Sequence, residues 1–94
     1  MLMRKLYKDK RWAMKRQAIL RRDDFQCREC RRYGKRTDAK HVHHIVPIEE
    51  QEDLWLTDGN LISLCTECHN KMHDRNTGQL TETGQQLRHR LQRR

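Results

Sequence analysis

The chain alternates short apolar clusters with long charged runs, and the spacing of the clusters predicts its elements. Trp12, Arg16, Ile19 and Leu20 fall near one side of a 3.6-residue repeat, while Lys10, Arg11, Lys15 and Arg21 fall elsewhere. A helix is therefore expected from about Lys10 to Arg22, with Asp9 as its N-terminal cap and Trp12, Ile19 and Leu20 as a core stripe. "KHVHHIVPI" is β-branched and alternating, which predicts a short strand through His41, Val42, His43, His44, Ile45 and Val46 that Pro47 ends. A loop rich in Glu49, Glu50, Glu52 and Asp53 follows. After Gly59 and Asn60, "LISLC" leads into "TECHNKMHDR", where a helix should begin with Cys68 and His69 in its first turn. From Asn76 onward Leu80, Leu87 and Leu91 form a weak stripe broken by Gly84, and this segment reads equally as a short, partly mobile helix or as a solvated basic tail.

Composition limits what these elements can build. With 94 residues, 34% hydrophobic and 36% charged, the chain suits one small domain, 1–94, with its core in about residues 12–75 and a basic tail at 76–94. Apolar burial alone is too small to hold it, and four cysteines offer the missing support. The opening "MLMRKLYKDKRWAMKRQ" has no apolar run of the secretory kind, and no stretch reaches the length needed to span a bilayer. The expectation is a cytoplasmic protein with reduced thiols and no membrane partner.

Cys27 with Cys30 and Cys65 with Cys68 form two C-x-x-C pairs, and four soft thiolates suit a closed, tetrahedral structural zinc site. The 34 residues between the pairs exceed the gap of a compact zinc ribbon, so a strand and loop are inserted between the two knuckles. Two other readings of the cysteines are weaker. Cys65, Cys68 and His69 spell the C-x-x-C-H of haem attachment, but that chemistry needs an exported protein and leaves Cys27 and Cys30 without a purpose. A redox pair would need a thioredoxin-like βαβ pattern, which is absent.

The histidines are unevenly placed: His41, His43 and His44 on the strand, His69 and His73 at helical spacing, and His89 among arginines of the tail. Neighbours on a strand point to opposite faces, so His43 and His44 invite different roles, whereas helical residues four apart share a face and His69 and His73 can grip one ion. His41 reads as a surface residue or phosphate contact and His89 as solvated. The formal charge of +8 favours a polyanion, with nucleic acid the default, although a basic solvated surface explains charge as well.

The order "HVHHIVP", Asn60, then "LCTECHNKMH", flanked by the two cysteine pairs, resembles the HNH endonuclease family and its ββα-metal motif across about Trp12 to His73. The histidine pattern is also similar to that of the colicin-type DNases; many relatives have Asp or Glu where His43 stands. The resemblance implies a small zinc-stapled α+β domain, treble-clef-like, with an N-terminal helix and a C-terminal helical tail. It implies hydrolysis of DNA phosphodiester bonds with His44 as general base. His43, His69 and His73 would hold a catalytic divalent cation (Mn2+, Ni2+, Mg2+ or Zn2+), apart from the structural Zn2+ of Cys27, Cys30, Cys65 and Cys68. Asn60 would hydrogen-bond across the loop between the strands and keep His44 in position. Arginines and lysines of the N-terminal helix and of "CRRYGKR" would hold the DNA backbone with little base reading. Small stand-alone members of this type are often encoded by phages close to DNA packaging genes, so the resemblance also implies a part in phage genome packaging, with terminase or other packaging proteins as partners in the host cytoplasm. A non-catalytic zinc module that binds nucleic acid explains the cysteines and the charge, but not the histidine spacing.

Overall fold

The computed structural model describes residues 2–92. Helix α1 spans Leu2–Lys8 and α2 spans Lys10–Arg22. They break at Asp9, whose carboxylate accepts the Arg11 amide at 2.8 Å and so starts α2 at the expected residue. The apolar pattern predicts only α2. A short α3 (Arg28–Arg32) follows, then β1 (His41–His44), single 3-10 turns at Glu52–Leu54 and Asp58–Asn60, β2 (Leu61–Leu64), α4 (Thr66–Asn70) and α5 (Glu82–Gln92).

β1 and β2 pair antiparallel, His41 opposite Leu64 and His44 opposite Leu61. Both strands are covered on both faces, and the period-2 alternation of side chains sorts their residues between two small cores. Val42 and Leu61 pack with Trp12, Ile19 and Leu20 of α2. Ile62, Leu64 and Ile45 pack on the other side with Cys27, Cys65, Met72 and Leu87. A two-stranded sheet is marginal by itself, and helices on both faces supply what it lacks.

Asp23 ties α2 to the sheet. It is buried at the end of α2, accepts Arg22 Nε and Nη2 at 2.9 Å each, and accepts the Ser63 amide of β2 at 3.1 Å. Burial pushes its pKa up, but the bonds from Arg22 and Ser63 together outweigh burial and hold it below the ordinary carboxylate range.

The segment after Asn76 contains the short helix that one reading expected, but docked on the core rather than loose or solvated. Residues 82–92 form a docked helix, with Leu87 fully buried in the core beside Met72 and the cysteines, and Leu91 packed against that cluster. Ion pairs from Arg88 to Glu50 and from Arg90 to Glu29 fasten its outer side. Residues 93–94 of the expected tail lie outside the described residues. Gly84, which interrupts the leucine stripe, permits the docking: a methyl group there would collide with the Met72 carbonyl oxygen and meet Leu80 Cδ2 at 3.1 Å. Gly84→Ala gains up to about 1 kcal/mol of helix propensity but forces α5 off its backbone contact. The variant is expected to be less stable by about 1–3 kcal/mol. A urea titration checks this, and a raised midpoint would contradict it. No helix among the described residues is long and apolar enough to cross a membrane.

Candidate active site

Two clusters of side chains could each hold a metal ion. Cys27 and Cys65 each stand at the N-terminal cap of a short helix, α3 and α4, where each sulfur accepts the amide of the cysteine three residues on, at 3.4 Å. The two knuckles thus present their thiols to one point, all within 4.8 Å of one another. Cys30 Sγ lies 3.9 Å from Cys65 Sγ and 3.8 Å from Cys68 Sγ. Four sulfurs about 2.3 Å from one zinc ion lie about 3.8 Å apart, so the donor set and spacing fit tetrahedral zinc. All four thiols are free. Burial raises the Cys27 and Cys68 thiols above their ordinary value, so a cation must displace protons to bind.

The second cluster is His43, His69 and His73, with ligand nitrogens within 4.8 Å of one another. His69 and His73 do not share a helix as expected. α4 ends at Asn70, and His73 bridges Leu80 in extended geometry after one further turn. The loop after His73 folds back on Asp74, which accepts the amides of Asn76 and Thr77, and on Gly78, at φ 74°. The Gly78 carbonyl then meets His73 Nδ1 at 3.2 Å. A carbonyl only accepts, so Nδ1 carries the ring hydrogen and Nε2 presents its lone pair to His43 Nδ1, 3.3 Å away. Two nitrogens each about 2.1 Å from one tetrahedral cation lie about 3.4 Å apart. His43 Nε2, buried, has no partner among the described residues. His41 stacks on His69 with centroids 4.6 Å apart and meets Thr66 Oγ1 at 3.2 Å, which makes it a support for His69 rather than a loose surface group. Burial, then neighbouring imidazoles, lower His43 to about 3 and His69 to about 4, so both offer neutral nitrogen to a cation at ordinary pH.

His44 points the other way from His43, as strand alternation requires, and stacks on Trp12 at 4.8 Å with 24° between the rings. Its Nε2 donates to the Trp55 carbonyl at 3.0 Å, which leaves the Nδ1 lone pair facing the Tyr7 hydroxyl at 3.5 Å. Burial lowers its pKa, against the raising effects of the Trp55 carbonyl and Glu49. Asn60, buried, accepts the Val46 amide at 2.8 Å and donates to the carbonyls of Val46 at 3.2 Å and Leu54 at 3.3 Å. It clamps the loop whose next residue, Trp55, holds His44. His43, His44, His69 and His73 all line one cleft of about 1060 Å3, with Tyr7 and Glu49 on its wall.

The HNH endonuclease family model matches residues 27–75, which hold both cysteine pairs, His43, His44, Asn60, His69 and His73. The chain is also similar to the solved HNH endonuclease of the deep-sea thermophilic bacteriophage GVE2, described with a manganese ion. The two share 36% identity over 73% of this chain and 75% of that one, with a TM-score of 0.72. The chain belongs to the HNH endonuclease family. A comparison with curated proteins found no match.

This HNH chain therefore has the small α+β architecture with two C-x-x-C knuckles that the sequence implied, and its four cysteines stand where one metal ion would reach them all. His89 is exposed on α5 and lies apart from both clusters. The helix cations expected to meet DNA are largely engaged elsewhere. Arg11 pairs with Asp9 and lies over the Trp55 ring, Lys15 pairs with Asp58, Arg16 donates to the Lys40 carbonyl, and Arg22 holds Asp23 and the carbonyls of Asp58 and Leu61. Sequence reasoning missed Tyr7 and the Trp55 carbonyl, and it assigned Trp12 only to the core. A tyrosine two residues before the capping Asp9 was the available signal.

Proposed function

We propose that this HNH protein is a metal-dependent endonuclease that hydrolyses DNA phosphodiester bonds, nicking or cutting both strands with little intrinsic sequence preference. One observation carries the reading: the unprotonated Nδ1 of His44 and the cluster of His43, His69 and His73 line the same cleft. A divalent cation held by the three histidines would polarise the scissile phosphate and offset charge on the leaving 3′ oxygen.

His44 Nδ1 takes a proton from the attacking water, and the positive charge that this creates on the ring is stabilised by the Trp55 carbonyl at Nε2. Asn60 acts at one remove, through the Leu54 carbonyl and the loop that presents Trp55. His41 and the Gly78 carbonyl orient His69 and His73. Three imidazoles favour borderline ions such as Ni2+ or Zn2+ over Mg2+, and Mn2+ is a further candidate because the similar phage enzyme is described with manganese. Four reduced thiols suited to zinc fit a cytoplasmic site of action.

The test is cleavage of supercoiled plasmid by zinc-loaded protein. Conversion to nicked and linear DNA is expected on adding manganese or nickel, with less on adding magnesium and none with chelator. Salt-sensitive DNA binding without cleavage under any ion would instead favour the non-catalytic zinc module.

A further inference from the structure

Tyr7 lies outside the residues that the family model matches, yet its phenol reaches the side chain at the centre of the proposed chemistry. α1 brings it there. The break at Asp9 folds α1 against α2, and the Tyr7 ring meets Trp12 edge to face at 5.4 Å and His44 at 6.0 Å. His44 is thus bounded on three sides: the Trp12 indole on its face, the Trp55 carbonyl at Nε2, and the Tyr7 hydroxyl beside Nδ1.

The tautomer decides what Tyr7 can do. Because Nε2 donates to a carbonyl, Nδ1 is an acceptor, and a hydroxyl is the right partner for it. At 3.5 Å the direct bond is long, but one water about 2.8 Å from each group would satisfy both without moving either. Tyr7 and His44 both line the cleft, so such a water lies open to a bound phosphate.

We propose that Tyr7 is the water-positioning residue of this enzyme, holding the nucleophile jointly with His44 Nδ1. The water donates one O–H to Nδ1 and the other to the Tyr7 oxygen, which turns its lone pairs toward phosphorus. As the bond from water oxygen to phosphorus forms, the proton passes to Nδ1, the bond to the 3′ oxygen breaks, and that oxygen takes a proton from solvent. The proposal rests on the nuclease reading.

The experiment compares Tyr7→Phe and Tyr7→Leu with wild type, all zinc-loaded and full-length, on plasmid and on a defined oligonucleotide duplex. Tyr7→Phe keeps the ring that packs on Trp12 and removes only the hydroxyl. It should lower kcat by about 10- to 100-fold with KM unchanged, and Tyr7→Leu should lose at least as much. A purely structural role predicts Tyr7→Phe equal to wild type, and that result overturns the proposal while leaving the nuclease reading intact. Absence of cleavage by wild type overturns both. Nitrogen-15 NMR gives a second readout free of turnover. Removing the hydroxyl should shift the His44 Nδ1 resonance while Nε2 stays protonated, and an unmoved Nδ1 also overturns the proposal.

Discussion

Replacing His44 with alanine is expected to lower the cleavage rate by about 1000-fold, in the middle of the range for loss of a general base. DNA affinity should be unchanged. The size follows from the site. His44 alone presents an unprotonated nitrogen to the cleft from the α2 side of the sheet, while the nitrogens of His43, His69 and His73 are directed at one another on the opposite side. Neither group facing its ring nitrogens can take over its proton, because Tyr7 is a weak base and Trp55 offers only a carbonyl. His44 is also buried against Trp12, so alanine leaves a cavity. His44→Gln, which keeps most of the bulk, separates the two effects. Both variants should lose the rate, but the glutamine variant should melt closer to wild type. Initial nicking rates, fluorescence anisotropy with labelled duplex and circular dichroism check the three parts. Full activity in a folded His44→Gln variant would remove His44 from the base role.

The sequence disclosed most where one short-range rule acts alone. Asp9 before an amphipathic run sets the start of α2, and strand alternation by itself separates His43 from His44. The cysteine pairs and the order of histidines and Asn60 were legible because ligand chemistry restricts residue type as well as spacing. Long-range packing was not legible. The run Leu80, Leu87 and Leu91 is too sparse to distinguish a docked helix from a tail. Its docking depends on Gly84 fitting the Met72 backbone, a surface made by residues far earlier in the chain. His69 and His73 come together without a shared helix because the Gly78 loop turns His73 back toward His43. Tyr7 was invisible for a related reason, since the Asp9 cap that was read as a start is also the hinge that sends α1 back over His44.

Removing a zinc ion held by the four cysteines is expected to unfold the protein. The larger core cluster is built on the metal site itself. Cys27 and Cys65 are buried members beside Ile45, Ile62, Leu64, Met72 and Leu87, with Cys30 and Cys68 packed against it. Without a shared ion, four thiols within 4.8 Å of one another bind the two knuckles weakly, and α3 and α4 are each only five residues long. Zinc binding contributes on the order of 10 kcal/mol at neutral pH, while a small domain has a net stability of about 5–15 kcal/mol. Most or all of the margin therefore disappears with the ion. The histidine cluster is different. It offers three ligands, two of them half-exposed, at the wall of an open cleft, and it adds nothing to the linkage between the knuckles. Mild chelation should strip that site first and stop cleavage while circular dichroism stays native. Strong chelation, or Cys65→Ala, should then collapse the helical signal and the NMR dispersion. Loss of both signals at one chelator concentration would mean that the two sites are not independent, and retention of the fold after complete zinc removal would show that apolar burial alone suffices.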